Sequence, residues 1–352
     1  MKTRFPRLAR RATLFCCLFA GSFLLFNCST KDLEYIDPYE FVSDDFEDIG
    51  EMPPVEDQDP EFTAPALGSV QNSAATQAII TDLGSGGLST ETQASLTALQ
   101  NFSATLPAGV AAEAQALTEA QITAIMSTEN FDGELANLES LLDDLPAEIA
   151  ALLPSIQFTA DYTGTASAAA DAPFNTSFRR LAVAQAVTGP CAEAVQEAYA
   201  IVMEELTTTR DAQLASIQAN YTRRLTEADA RYESRLATLN ADYDTYKAEL
   251  TAVAVDLLQL AVALETTEPA IADQLKLAAL IYAVEASSSL TAWYTAAVNL
   301  LEQKRTEEKA AVLTIKEALT ATVNANFAAL KAEADAALQQ ALNNCHNQGS
   351  GN

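Results

Sequence analysis

The sequence predicts an all-α protein in which a small N-terminal helical domain precedes a long antiparallel helical hairpin of the coiled-coil type. Three observations support this fold class. Alanine supplies much of the 49% apolar fraction, and runs that alternate β-branched and aromatic residues are scarce. Residues 191–348 contain no glycine and a single proline, Pro269. Because proline interrupts a helix, this stretch predicts two long helices that are joined near residues 266–269.

The N-terminus has the three parts of an export signal. Basic residues come first, and a 15-residue apolar run follows at residues 12–26, too short for a comfortable membrane span. The motif Leu25-Phe26-Asn27-Cys28 resembles the lipobox of bacterial lipoproteins. Leu25 fits the pattern, and the two residues after it are larger than is usual there. The resemblance implies that residues 1–27 are a cleaved signal peptide, that Cys28 carries lipid, palmitate included, and that this lipid holds the protein on a membrane of the cell envelope, the outer membrane.

Two alternatives for the N-terminus remain open from the residues alone. The apolar run would be an uncleaved anchor in one of them. In the other, cleavage near residues 20–22 would release a secreted form whose first residues, 23–26, are exposed and apolar.

The charge of the chain restricts its partners. The formal net charge is −28, and removal of residues 1–27 leaves 15 basic and 48 acidic residues, a net charge of −33. Such a surface repels nucleic acid and disfavours lying flat on anionic lipid. Acidic residues and prolines fill residues 28–66, which we expect to form a disordered tether after the lipidated cysteine. An alternative is that aromatic residues in this segment form a docking motif for an export or assembly partner.

Residues 67–158 predict a small domain of four or five short helices. Ser89 is a predicted N-cap, and Thr118 is a second one that forms a capping box with Gln121. Leucines at helical spacing between residues 135 and 145 predict a core face. Residues 159–189 are rich in small residues and predict a linker with a short helix.

The hairpin is predicted over residues 190–348, and its two cysteines give a register. Cys191 and Cys345 are equidistant from residue 268, beside Pro269, so facing residues should have numbers that sum to 536. This predicts a Cys191–Cys345 disulfide, with two free thiols as the alternative. It also predicts ion pairs Glu205–Lys331 and Glu227–Lys309. The apolar stripe has a heptad spacing from Leu236 onward and a longer, nearly eleven-residue period before it, and kinks are expected at Thr207–Thr209 and Ser287–Ser289.

Residues 250–301, which we call the tip, are apolar on more than one face. A two-helix seam cannot bury all of this surface. Residues 67–158, a second copy, a protein partner or a membrane must therefore cover it. We expect a protein partner or self-association through the tip.

No motif in the sequence predicts catalysis. His346 is the sole histidine, and neither a G-x-S-x-G elbow nor a P-loop is present. We therefore expect a non-enzymatic protein without catalytic, cofactor or metal residues. The expected role is structural or partner-binding work in the cell envelope. The alternatives are a carrier or holdase and a membrane-inserting protein that resembles helical pore formers.

Overall fold

A computed structural model describes residues 44–157 and 189–346, apart from Glu129 and Asp143 and the side chains of Asp44, Asp45 and His346. The predicted signal peptide, Cys28 and linker residues 159–188 lie outside the described residues. The described elements, in chain order, are α1 Asp44–Glu47, β1 Ser69–Gln71, α2 Ala74–Gly84, α3 Thr90–Ser103, α4 Ala108–Gln115, α5 Glu119–Ile125, α6 Gly133–Leu142, α7 Ala147–Ala150, β2 Ser155–Gln157, α8 Pro190–Leu264 and α9 Pro269–His346. The two strands pair antiparallel, with Val70 opposite Ile156.

The predicted all-α hairpin is confirmed. Helices α8 and α9 have 75 and 78 residues, which makes each about 110 Å long. Gly189 precedes α8 with a φ of 136°, a value that favours glycine, and Pro190 occupies the first turn, where its missing N–H costs nothing. Pro269, the last residue of the predicted junction at residues 266–269, begins α9. Both helices continue through the two segments in which kinks were expected.

The observed register agrees with the predicted one to within one residue. Cys191 and Cys345 are joined by a disulfide with their Cα atoms 5.9 Å apart. Farther along the hairpin, Lys316 lies over the ring of Tyr221 and Tyr294 packs on Tyr243; the residue numbers of each pair sum to 537. The two predicted ion pairs were wrong in detail. Lys331 bonds to Asp335 in its own helix, and Lys309 pairs with Asp229, because each acid lies closer to the amine than the expected glutamate.

The hairpin seam repeats every eleven residues along its whole length. The buried residues at this spacing on α8 are Val195, Leu206, Ile217, Ala228, Leu239, Leu250 and Ala261. On α9 they are Leu290, Leu301, Val312, Val323 and Ala334. The long period predicted for the first part of α8 thus continues beyond Leu236, where we expected a heptad. Eleven residues in three turns are close to the natural 3.6 per turn, so the arms need none of the left-handed winding that heptads impose.

Residues 67–157 form a cap over the tip. Ser89 and Thr118 cap α3 and α5 as predicted, the latter with the capping box to Gln121. Residues of α2–α7 share one hydrophobic core with the tip. Leu257 and Trp293 are only 1% and 3% exposed there. Of the four candidates to cover the tip, the structure thus shows the first, the chain's own helices.

The expectation of a disordered tether over residues 28–66 was wrong for its second half. Residues 46–66, which we call the strap, contact the hairpin repeatedly, and beyond the turn that follows α1 they form neither helix nor strand. An acidic, proline-containing composition predicts disorder only when the segment finds no partner. Here the hairpin supplies that partner.

Candidate functional site

The sequence-predicted site residues lie at one end of the hairpin or outside the described residues. Cys28 belongs to the latter group. The Cys191–Cys345 disulfide closes the end opposite the tip, which we call the open end. Phe46, the first described side chain, packs between Val195 and Ala341 at this end and is 5% exposed. The first described residues of the strap therefore lie at the disulfide end of the molecule.

The strap and α8 are matched by two repeats of equal length. Gln213, Arg224 and Arg235 are eleven residues apart and donate to backbone carbonyls of the strap. The accepting residues are Pro53 at 3.1 Å, Gln58 at 3.1 Å and Thr63 at 3.3 Å, and they are five residues apart. Eleven helical residues and five extended residues both span about 16.5 Å. The strap can therefore repeat the same contact at each unit of the hairpin.

Arg224 is the central contact of this row. Its side chain is 4% exposed and pairs with Asp57 at 2.6 Å and with Asp59 at 2.8 Å. Asn220 donates to the other oxygen of Asp57 at 2.8 Å. A buried guanidinium is costly without partners, and within the described residues those of Arg224 all belong to the strap. The strap and Arg224 thus depend on each other.

The electrostatics of this contact favour charged aspartates. Hydrogen bonds from Arg223 and then Arg224 lower the pKa of Asp59 below its ordinary value. Arg223 lies 2.5 Å from the same carboxylate oxygen. Two guanidinium groups beside one carboxylate favour its charged form, so this position of the strap needs an acidic residue.

Apolar contacts hold the strap at intervals. Met52 is 6% exposed in a cluster with Leu206, Ile217 and Val323. Phe62 lies 4.8 Å under the guanidinium of Arg231. These side chains give the strap a buried component that salt does not screen.

The strap ends at the cap. The indole N–H of Trp293 donates to the carbonyl of Leu67 at 2.6 Å, and the Trp293 ring packs edge-on against Tyr246. Tyr246 lies eleven residues after Arg235, so it continues the row of α8 residues that faces the strap. The strap therefore connects the open end to the cap without leaving this row.

A second row bridges the two helices on the other side of the seam. Its rungs are Arg210 over Phe327 at 4.4 Å, Lys316 over Tyr221 at 4.7 Å, Arg305 over Tyr232 at 4.9 Å and Tyr243 against Tyr294 at 4.9 Å. Consecutive rungs are again eleven residues apart on each helix. Cations stack favourably on aromatic faces, so this row fixes the register of the arms.

Positive charge is concentrated in the middle of the hairpin. Of the twelve lysines and arginines in the described residues, eight lie in residues 223–235 and 304–316, and the cap has none. Glu308 is 4% exposed and accepts from Arg231 and Arg235. Hydrogen bonds from Lys309 and then Arg305 lower the pKa of Asp229. In a chain that is acidic as a whole, most bases thus lie where they can pair with acids of the strap or of the opposite helix.

The described residues offer little for small-molecule chemistry. They contain no group of three histidine, cysteine or acidic side chains placed to hold a metal ion. None of the helices in this part of the chain is long and apolar enough to cross a membrane. Two shallow surface depressions, of about 360 and 290 Å³, lie where the cap meets the tip. What the geometry does support is the binding of an extended acidic segment along the hairpin.

Sequence reasoning missed the strap and both rows. A signal for the strap was present, since Gln213 and Arg224 interrupt an apolar row at the repeat distance.

Comparisons of the chain with protein-family models, with curated proteins and with solved structures give no match. Its function is therefore inferred from its own residues.

Proposed function

We propose that this is a lipid-anchored protein of the bacterial cell envelope with a non-catalytic, structural or partner-binding role. The observation that carries the proposal is the construction of the hairpin. Two continuous helices, about 110 Å long, are held in one register by a disulfide at one end, a cap at the other and repeated contacts between. Such a stiff rod is suited to hold the envelope and a partner at a fixed distance.

The lipid on Cys28 is supported by the resemblance of Leu25-Phe26-Asn27-Cys28 to a lipobox and by the position of the strap. Phe46, eighteen residues after Cys28, lies at the open end. An anchor at one extreme of a rod suits a spacer between the envelope and a partner.

The alternative of a membrane-inserting protein depended on an uncovered tip. In the structure the cap covers the tip residues Leu257, Tyr282 and Trp293. The expected partner or second copy likewise has no uncovered core at the tip to bind, so partner binding is better sought on the outer surface of the molecule.

Labelled palmitate tests the anchor. The chain and its Cys28→Ser variant are expressed in the source bacterium with the label, and the membrane fraction is analysed. We expect label in the former and none in the latter. Equal labelling of the two chains would remove lipidation at Cys28 from the proposal.

The eleven-residue repeat allows a sharp test of the rod. Deleting residues 207–217, 319–329 and 52–56 together removes one unit from each arm and the matching unit of the strap. The disulfide and every remaining rung keep their phase, and the rod shortens by about 16 Å. Seven-residue deletions of 207–213 and 323–329 are the control that breaks the phase.

If the protein sets a distance, the shortened chain should stay folded. In a strain that lacks the protein, it should correct the resulting envelope defect only in part. Small-angle scattering verifies the shorter dimension, and crosslinking in intact envelopes reports whether partners are still reached. Full restoration by both the shortened chain and Cys28→Ser would contradict an anchored structural role.

A further inference from the structure

The strap connects two distant parts of the molecule. Its C-terminal end continues at Leu67 into the cap, whereas Phe46 is buried at the open end beside the disulfide. By covalent connection alone, anything attached to the N-terminus is attached to the cap. Only the docked strap moves that attachment to the other end of the hairpin.

The docked strap has no slack. From Gln213 to Arg235, which donate to the carbonyls of Pro53 and Thr63, α8 rises by about 33 Å. The ten steps from Pro53 to Thr63 also reach about 33 Å in an extended chain. Prolines at positions 53, 54, 60 and 65 favour this extension because they fix φ. This part of the strap therefore has no spare length along the shaft, as we call the part of the hairpin between the open end and the tip.

We infer that the docked strap sets the polarity of the hairpin on the membrane, with the disulfide end next to the lipid surface and the cap displayed at the far end. This inference rests on the proposed lipid at Cys28. The eighteen steps from Cys28 to Phe46 reach at most about 65 Å, whatever their conformation. The membrane is thus reached from the open end.

A released strap would reverse this arrangement. Cys28 would then be joined directly to the cap by thirty-nine steps of chain, for which a coil dimension of about 35 Å is expected. The open end would be free to point away from the membrane. Strap contacts therefore decide which end of the rod a partner meets.

Charge supports the displayed cap. Residues 67–157 contain no lysine or arginine, so an anionic bilayer repels the cap rather than attracting it. The bases that bind the strap lie in the middle of the shaft and are already paired, as Arg224 is with Asp57 and Asp59. Nothing in the described charge distribution pulls the cap toward lipid.

The test uses the chain from Cys28 onward, coupled through the Cys28 thiol to vesicles that carry maleimide lipid and an acceptor dye in the bilayer. A donor dye is placed by an unnatural amino acid at exposed Gln340, near the open end, or at exposed Leu88 in the cap. We expect energy transfer to the bilayer to be several-fold greater from Gln340 than from Leu88. Equal transfer from both positions, or greater transfer from Leu88, would overturn the inference.

Two independent variants release the strap. Phe46→Asp with Met52→Asp changes only the strap, and Arg224→Glu changes only the hairpin. Each should raise transfer from Leu88 and lower it from Gln340 while helix content and the disulfide persist. Arg210→Glu is the matched control, because Arg210 lies on the rung row and contacts Phe327 and Asp211 instead of the strap.

Chemical coupling separates this inference from the proposed anchor. If palmitate fails to enter Cys28 in cells but coupled vesicles show the expected difference, the proposed function fails and the polarity set by the strap stands. If palmitate enters and both strap variants transfer like the unchanged chain, the anchor stands and the inference is rejected.

Discussion

The two halves of α9 are stabilised in different ways. From Ala272 to Ala286 the helix is buried on nearly every side, because α8 lies on one face and the cap on the others. From Glu302 to Cys345 only isolated positions are buried, and two of them, Lys304 and Glu308, are charged. The first half of α9 thus lies at the centre of a globular core, and its second half is one of the two helices of a thin rod.

The difference shows what each kind of packing can provide. A helix that is apolar all round needs other elements to cover it, and burial then supplies its stability. A two-helix shaft cannot bury enough apolar surface for that. It is held instead by the disulfide, the strap and the rungs, which fix register at the cost of exposed charge. We therefore expect the tip to respond to changes in apolar volume and the shaft to respond to covalent and electrostatic changes.

The largest effect is expected from a charge in the tip core. Leu257→Asp places a carboxylate at a position that is 1% exposed, which should lower the free energy of unfolding by on the order of 5 kcal/mol. Ile201→Asp is the control in the shaft, where the side chain is 54% exposed and the change should be nearly neutral. Thermal unfolding measured by circular dichroism compares the two. Similar losses in both would mean that the tip has no special core.

Removal of the disulfide should have the next largest effect, and it should act on the shaft. The bond closes a loop with a sequence separation of 154, for which chain entropy gives about 5 kcal/mol as an upper value. In the double variant Cys191→Ser with Cys345→Ser, residues 191–205 and 330–345 should lose amide-exchange protection first. The cap should keep its protection. Loss in the cap before the open end would contradict the division between the two regions.

The fold could be predicted from the sequence because few signals sufficed. One proline in a long stretch without glycine located the turn, and two cysteines equidistant from it gave the register. The excess of apolar residues near the turn predicted that the tip needed a cover. The identity of that cover was left open, because a hydrophobic surface does not specify which of several apolar faces will meet it.

The strap could not be predicted in the same way. Single-segment composition favoured disorder, and the partners of Asp57 and Asp59 lie more than 160 residues away at Arg223 and Arg224. The match between eleven helical and five extended residues becomes visible only when both repeats are laid side by side. The error in the predicted ion pairs has a related cause, since seam spacing fixes the facing residues but not the direction of long side chains.

Acid should loosen the shaft. The pKa values of Asp59 and Asp229 are lowered in the folded state by the bases that they contact. A lowered folded pKa stabilises the folded state at pH 7, and this contribution is lost as the pH falls below about 4 toward the folded pKa. Amide exchange at pH 7 and pH 3, corrected for intrinsic rates, should show a several-fold loss of protection in the shaft. Asp59→Asn with Asp229→Asn should already show it at pH 7; unchanged protection there would contradict the role of these carboxylates.

The smallest expected effect is that of one rung, and it tests whether the rows add up. Lys316 lies 4.7 Å above the Tyr221 ring, and both side chains are half-buried, so the pair should contribute about 0.5–1 kcal/mol. A double-mutant cycle with Tyr221→Leu and Lys316→Met isolates this term, because Met keeps the apolar stem and Leu keeps a buried side chain. The control cycle pairs Tyr221→Leu with Lys309→Met, since Lys309 contacts Asp229 instead, and its coupling should stay within about 0.3 kcal/mol of zero. Chemical denaturation measures both. If the first cycle is as additive as the control, the rungs do not stabilise the register. The disulfide and the strap must then hold the shaft.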